Sequence, residues 1–328
     1  MRRTTTKTIQ RQTGITLIEL MVALAIGSFL MIGAIQIYSQ SRQAFVINES
    51  IARVQETAQF AMDTIEADLR MASNWGRNSR GLAVEGRSIV GDDNPTGLPQ
   101  PAGNCSNDWA LNLALPIDGV DNGYGLACAA TGGSQASSDV VTVRRASVVP
   151  APLEGGRLQI QTTRIQGEIF ADGAIPGGFS AADSATHNLI VTSYYVSPTS
   201  TLINGMPTLR RHRLIGGGVA GPRIVDEEVA PGVENLQIQL GVDVDQDNTV
   251  DRYVNPGNAI YNPNAVGYVP GARIMTARIW MVVRGLNIEP GLQDNRDFEP
   301  GNVDLGVHND SFRRMQVSKT ILLRNART

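Results

Sequence analysis

Residues 14–35 read GITLIELMVALAIGSFLMIGAI, an apolar run that holds a single charge, Glu19. An ionised side chain inside a bilayer costs about 2.5–3.5 kcal/mol on insertion scales, so a carboxylate near the start of such a run calls for compensation. After Glu19 no charge occurs until Arg42, a gap of 22 residues. About 20 helical residues cross the hydrocarbon core, so residues 15–37 can form a transmembrane helix. Arg2, Arg3, Lys7 and Arg11 precede the run, with no acid among the first fourteen residues. That asymmetry places the N-terminus in the cytoplasm and the rest of the chain on the far side, in a periplasm-like space. A basic stretch before an apolar run also opens a secretory signal peptide, but here the run is too long and no small-x-small cleavage site follows. A plain single-pass anchor with an incidental Glu19 is the bland alternative.

The apolar run does not have to end the helix. No Pro occurs before Pro95 and no Gly between Gly33 and Gly76. Ile47, Ile51, Val54, Ala58, Ala61, Ile65, Leu69 and Ala72 recur every three or four residues, the spacing of an amphipathic helix. Glu49/Arg53 and Glu66/Arg70 stand four apart, as polar-face pairs do. One continuous helix is therefore expected over residues 15–75, apolar all round at first and amphipathic later. A coiled coil explains the second half but not its junction with the anchor.

Beyond Gly76 the helical period stops. Short β-rich runs follow at Asp139–Arg145, Arg157–Thr162, Asn188–Val196, Thr208–Ile215, Val233–Val242, Ala272–Arg284 and Met315–Arg324. Alternation bounded by Gly, Pro, Asn and Asp predicts antiparallel sheet. The stretch 81–138 has few strand signals and is expected to be a long irregular insertion. The fold class expected is α+β: a long N-terminal helix packed on a β-sheet head over residues 76–328. The chain carries a net charge of −3, and without its four leading cations it holds 24 basic against 31 acidic residues. Such a body does not suit a general nucleic-acid binder.

The hexapeptide Gly14-Ile15-Thr16-Leu17-Ile18-Glu19 resembles the type IV prepilin signature, a basic leader ending in Gly with Glu at the fifth mature position. Ile15 stands where the family usually has Phe. The resemblance implies that residues 1–14 are a leader, that a prepilin peptidase cuts between Gly14 and Ile15, and that Ile15 is then N-methylated. Cleavage creates an amine with a reference pKa of about 7.7–8. Glu19 then lies one turn away, near the positive end of the helix dipole. In the family this carboxylate pairs with the amine of a neighbouring subunit, and a buried charge is tolerable when paired. DVVTVRR (139–145), VENLQIQLGVDVDQDNTVDRYV (233–254) and RRMQVSKTILLRNA (313–326) further resemble the PilW-type minor pilins. J-type pseudopilins of type II secretion share the anchor and a related head, and are the nearest rival.

Cys105 and Cys128 are the only cysteines. An even count in an oxidising compartment reads as one disulfide, with free thiols as the alternative. Asp243, Asp245, Asp247, Thr249 and Asp251 take positions 1, 3, 5, 7 and 9 of an EF-hand-like loop. Position 12 is Val254, not a bidentate Glu, and Asn248 replaces the turn Gly. This is no EF-hand; a Ca²⁺ turn between two strands and a solvated acidic hairpin both remain open. Gly216–Gly221 matches GxGxxG, but Pro222 and a β-like stretch follow instead of a helix, so it reads as a loop. Arg210, Arg211, His212 and Arg213 form a basic cluster suited to intersubunit salt bridges or a solvated face. His187, His212 and His308 show no ligand spacing, and no catalytic motif stands out.

The expectation is a non-enzymatic minor pilin with no required cofactor, set in the inner membrane and then at the pilus surface. By resemblance its partners are other minor pilins, the major pilin, the prepilin peptidase and the inner-membrane assembly platform, with a large tip adhesin as a further one. It would help prime assembly within a tip complex. A J-type pseudopilin and an adhesive or ligand-binding tip module on a pilin anchor are the alternatives.

Overall fold

The structure is a computed structural model that describes residues 14–103, 105, 106 and 108–327. Residues 1–13 of the expected leader, with Arg2, Arg3, Lys7 and Arg11, lie outside the described residues. Two compact units divide at Glu49/Ser50.

A single α-helix, α1, covers Leu17–Arg70. In the first unit its large apolar side chains are bare from Ile15 through Phe45, with Phe29 80% exposed. By length and composition α1 can cross a membrane. At the other end it stops short of the expected residue 75. Met71 and Ala72 bond three residues back, tightening the last turn, and Ser73 enters the left-handed region at φ +64°. Gly76 follows at φ +90°, where a Cβ would come within 2.5 Å of the His187 ring. Only Gly fits that exit.

Among the described residues, the second unit combines the last turns of α1 with twelve strands. These are β1 (Val84–Glu85), β2 (Ile117–Val120), β3 (Val140–Ala146), β4 (Gln159–Thr162), β5 (Gly167–Phe170) and β6 (Ala185–Ser197). They continue with β7 (Thr208–Ile215), β8 (Arg223–Pro231), β9 (Val233–Asp243), β10 (Arg252–Val254), β11 (Arg273–Ile288) and β12 (Phe312–Leu322). The first sheet has eight strands ordered β1-β5-β4-β6-β3-β2, with β7 also on β6 and β8 on β7. Its one parallel pair is β1 with β5, and the rest are antiparallel. The second sheet is antiparallel, β10-β9-β11-β12.

Residue parity separates two cores across the first sheet. Val141, Val143, Tyr194, Val196 and Leu209 face α1 and the second sheet, where Val54, Ala58, Ile65, Leu69, Leu236, Ile238, Ile279 and Met281 meet them. Ala146, Leu189, Val191 and Leu214, on the opposite parity, face a second cluster built on Trp75, Trp109, Leu111 and Leu113. A sheet covered on both faces buries both parities of a strand instead of alternating, and β3 and β6 are buried at odd and even positions alike. The stretch 81–138 is largely irregular, as expected, but the second cluster shows that it also forms core. The stretch contains β1 and β2, and Trp109, Leu111, Leu113, Leu115 and Ile117 are each at most 2% exposed.

Polar residues join α1 to the first sheet. Asp68 accepts Arg145 Nη2 at 2.7 Å and Tyr194 Oη at 2.7 Å. Glu66, expected on the polar face with Arg70, is instead buried and also takes Lys319 from β12. Lys319, as the nearest donor, holds the Glu66 carboxyl below its usual range.

Candidate functional site

Thr16 is the residue before the first helical one, and its side chain and that of Glu19 bond reciprocally. Thr16 Oγ1 accepts the Glu19 N–H at 3.3 Å, while Glu19 Oε2 accepts the Thr16 N–H at 3.4 Å and its hydroxyl at 3.4 Å. This is a capping box, which satisfies two backbone donors that the first helical turn leaves unpaired. The signal, Thr16-x-x-Glu19 ahead of an apolar run, stands in the sequence and is separate from any pairing between subunits. Ile15 is 75% exposed beside it. Within one chain, then, Glu19 has a local partner but no cationic one among the described residues.

The acidic turn brings together part of the expected set. Asp243, Asp245 and Asp247 each offer an oxygen within 4.8 Å of the others. Thr249, expected to offer its backbone carbonyl, and Asp251 also make hydrogen bonds within the turn. The Thr249 N–H and hydroxyl donate to Asp247, and Asp251 accepts the Val244 N–H at 2.6 Å. Asn248 sits at φ +68°, the left-handed conformation expected of it, and Gln246 at φ +66° does likewise. Arg273, which the sequence reading did not include, binds Asp243 through Nε at 3.2 Å and Nη2 at 3.1 Å. Asp243 also accepts the N–H groups of Gln246 and Asn248, so this buried carboxylate already has a cation and two backbone donors. Asp245 and Asp247 remain exposed. Calcium here stays a proposal for calorimetry: Ca²⁺ titration of the full chain should release heat that Asp245→Ala abolishes, and a silent wild type would end the idea.

Cys105 and Cys128 form a disulfide, 23 residues apart in sequence. Closing a loop of that size stabilises by about 3 kcal/mol on the chain-entropy account. His212, distant in sequence, packs beside it: Cys105, Cys128 and His212 come within 4.8 Å of one another. With both sulfurs bonded, no thiolate is left to bind a metal. His212 Nε2 and Tyr124 Oη share a hydrogen bond of 2.6 Å, and the Tyr195 ring stacks on the imidazole at 5.0 Å. Burial pushes the His212 pKa down, against the pull of Asp226.

The basic cluster finds its acids inside the chain, which corrects the expectation of intersubunit pairs or a solvated face. Strand β8 carries Asp226-Glu227-Glu228 opposite Arg210-Arg211-His212 on β7 in the antiparallel register. Arg210 binds Asp226 and Glu228, while Arg211 and Arg213 both bind Glu227. The complementary runs RRHR and DEE were the available signal. Their positions sum to a constant, as antiparallel partners must. The glycine motif 216–221 is the connection between these two strands, with Gly217, Gly218 and Gly221 at positive φ. No helix follows it.

Comparison with known proteins adds two matches. Residues 9–35 match the prokaryotic N-terminal methylation motif, which takes in Gly14, Ile15, Glu19 and the whole apolar run 14–35. Residues 193–325 match the family of the Type IV Pilus-assembly protein W, from within β6 to the C-terminal turn. Of the three resembling segments, 233–254 falls inside that match and 313–326 does so up to residue 325, while 139–145 lies outside it. No curated protein and no solved structure matches the chain. With a bare apolar helix and a β-rich head on one chain, the two matches support a type IV pilus PilW-like pilin with a prepilin-type N-terminal signature.

Proposed function

We propose that this chain is a low-copy subunit of the type IV pilus that joins other minor pilins in a tip complex and helps prime assembly. In this reading it is inserted in the inner membrane with its head in the periplasm. Prepilin peptidase cuts between Gly14 and Ile15, and Ile15 is methylated. Glu19 then guides docking onto the amine of a neighbouring subunit at the assembly platform. The major pilin extends the filament behind it, and a large tip adhesin is the further partner this placement allows.

The observation that carries the reading is the occurrence of both matches, the methylation motif and the PilW segment, on one chain. Pilin-family domains are structural, and the work asked of this one is physical: an apolar helix for docking and a head for partner-specific contact. Immunogold labelling of a tagged full-length chain should place sparse label at pilus ends, and deletion should reduce pilus number. Label confined to the cell envelope, with normal pili in the deletion strain and impaired protein secretion, would favour the type II secretion pseudopilin instead.

A further inference from the structure

The second sheet ends on β12, which among the described residues pairs with β11 on one side only. Its pairing is unbroken from Thr276↔Leu322 to Arg284↔Arg314, with no bulge in that span of β12. Which backbone groups point outward follows from alternation along the ladder. The Arg284 N–H bonds Gly232 O at 2.7 Å, so residue 284 faces β9, and its odd-numbered neighbours on β11 face β12. Residues 315, 317, 319 and 321 are their partners. Gln316, Ser318, Thr320 and Leu322 therefore turn their N–H and C=O groups away from the sheet. Arg314 O, of the same parity, already accepts Arg296 Nη2 at 2.6 Å from outside.

Long regular edges invite another strand, and folded proteins usually blunt them. The other edges here are blunted. Strands β1, β2 and β10 have two, four and three residues, and β8 is bridged at Arg223 by Ala102. Strand β12 has eleven residues, no Pro, and one charge in the open part, Lys319, which is tied to Glu66 and Asp63. Beside the edge runs a groove of 730 Å³ between α1 and β12, with Met62, Met315 and Val317 in it and Glu56 on its wall.

We propose that residues 316–322 are a docking edge that accepts an extended strand of a different pilus subunit, which adds to the second sheet beside β12. Main-chain bonds supply affinity in this mode and pockets for alternate side chains supply specificity. The occupant's alternate residues are apolar where they meet Met62, Met315 and Val317, with a basic residue toward Glu56, since Lys319 on the same groove is already held by Glu66 and Asp63. A second copy of this chain is the wrong occupant, because a two-fold β12–β12 pair would run the two α1 helices antiparallel, whereas subunits anchored in one membrane run them parallel. The proposal rests on the reading of the chain as a pilus subunit.

The variant that isolates the edge is Ser318→Pro. It deletes an outward N–H and leaves every β11–β12 bond in place, a change edge strands tolerate. The expected result is a full-length protein that melts within about 5 °C of wild type, yet is depleted about tenfold from sheared pili. Equal recovery of variant and wild type in pili would overturn the proposal. If the variant melts lower than that, hydrogen exchange on wild type decides. The amides of 316, 318 and 320 should exchange much more slowly in sheared pili than in the detergent-solubilised chain, and equal rates would overturn the proposal. A dimer of the purified chain in detergent that Ser318→Pro dissolves would also overturn it, by making the occupant a second copy. Absence of wild type itself from pili would remove the underlying reading, which separates the two failures.

Discussion

Glu19→Ala and Glu19→Gln should both leave the chain inserted and cut at Gly14–Ile15, and both should lower its amount in sheared pili by about tenfold or more. Removing the carboxylate makes the apolar segment easier to insert, since an ionised group there costs about 2.5–3.5 kcal/mol. Both residues at the proposed cut are unchanged. What the pair of variants separates is the two jobs Glu19 can do. As the third helical residue of a capping box it receives the Thr16 N–H and hydroxyl, and Gln serves that role as well. Losing a cap costs about 0.5–2 kcal/mol of local helix stability. As the counter-ion of a new amine it must carry charge, which Gln does not. If Gln restores incorporation while Ala does not, the cap is what matters and the intersubunit pair is wrong. Immunoblots of sheared and cell-bound fractions, with mass spectrometry of the N-terminus for processing, read both quantities.

The sequence made the long helix legible because its signals are local: a leader, an uncharged run, no helix breaker, then a 3.6-residue period. The seven marked β runs all fall on strands, and Thr208–Ile215 has the bounds expected of it. What it hid depends on distant partners. Glu66 and Asp68 look like surface acids of an amphipathic helix, yet Lys319 and Arg145 stand on them across 253 and 77 residues. The buried role of 81–138 was hidden because WALNLAL (109–115) is too short and irregular to show a period, although it packs as densely as any strand. At the acidic turn the carboxylates and the left-handed Asn248 could be read, but Arg273, which neutralises Asp243 from another strand, could not. Local chemistry was visible; charge compensation across the sheet was not.

Arg314→Met should destabilise the head by about 3 kcal/mol, the low end for breaking a buried pair, because it leaves the partly buried Glu234 and Asp310 carboxylates without their cation. The Arg314 side chain is 2% exposed and donates to Glu234 at 2.6 and 3.0 Å and to Asp310 at 2.6 and 2.8 Å. Arg284 approaches Glu234 only to 3.5 Å and cannot replace that fork. At roughly 2–4 °C per kcal/mol for a domain of this size, the melting temperature should fall on the order of 10 °C. Arg314→Lys keeps charge but not the planar fork, and should fall between. The same pair gives a pH signature. The Arg314 hydrogen bonds hold the Asp310 carboxyl down to about 2. A depressed acid contributes stability that is complete above its unfolded pKa, near 3.9, and is lost as pH falls through about 4 toward 2. Asp139 acts in the opposite sense. Burial raises its carboxyl to about 6 despite two backbone donors, so its contribution declines as pH rises from about 4 to 6. Both variants share Asp139 with wild type, so differences between melting curves isolate the Arg314 contribution. The gap between wild type and Arg314→Met should be widest near neutral pH and shrink between about pH 4 and pH 2. A gap of the same size at pH 2.5 and pH 7 would show that Arg314 stabilises by packing and not through its carboxylates.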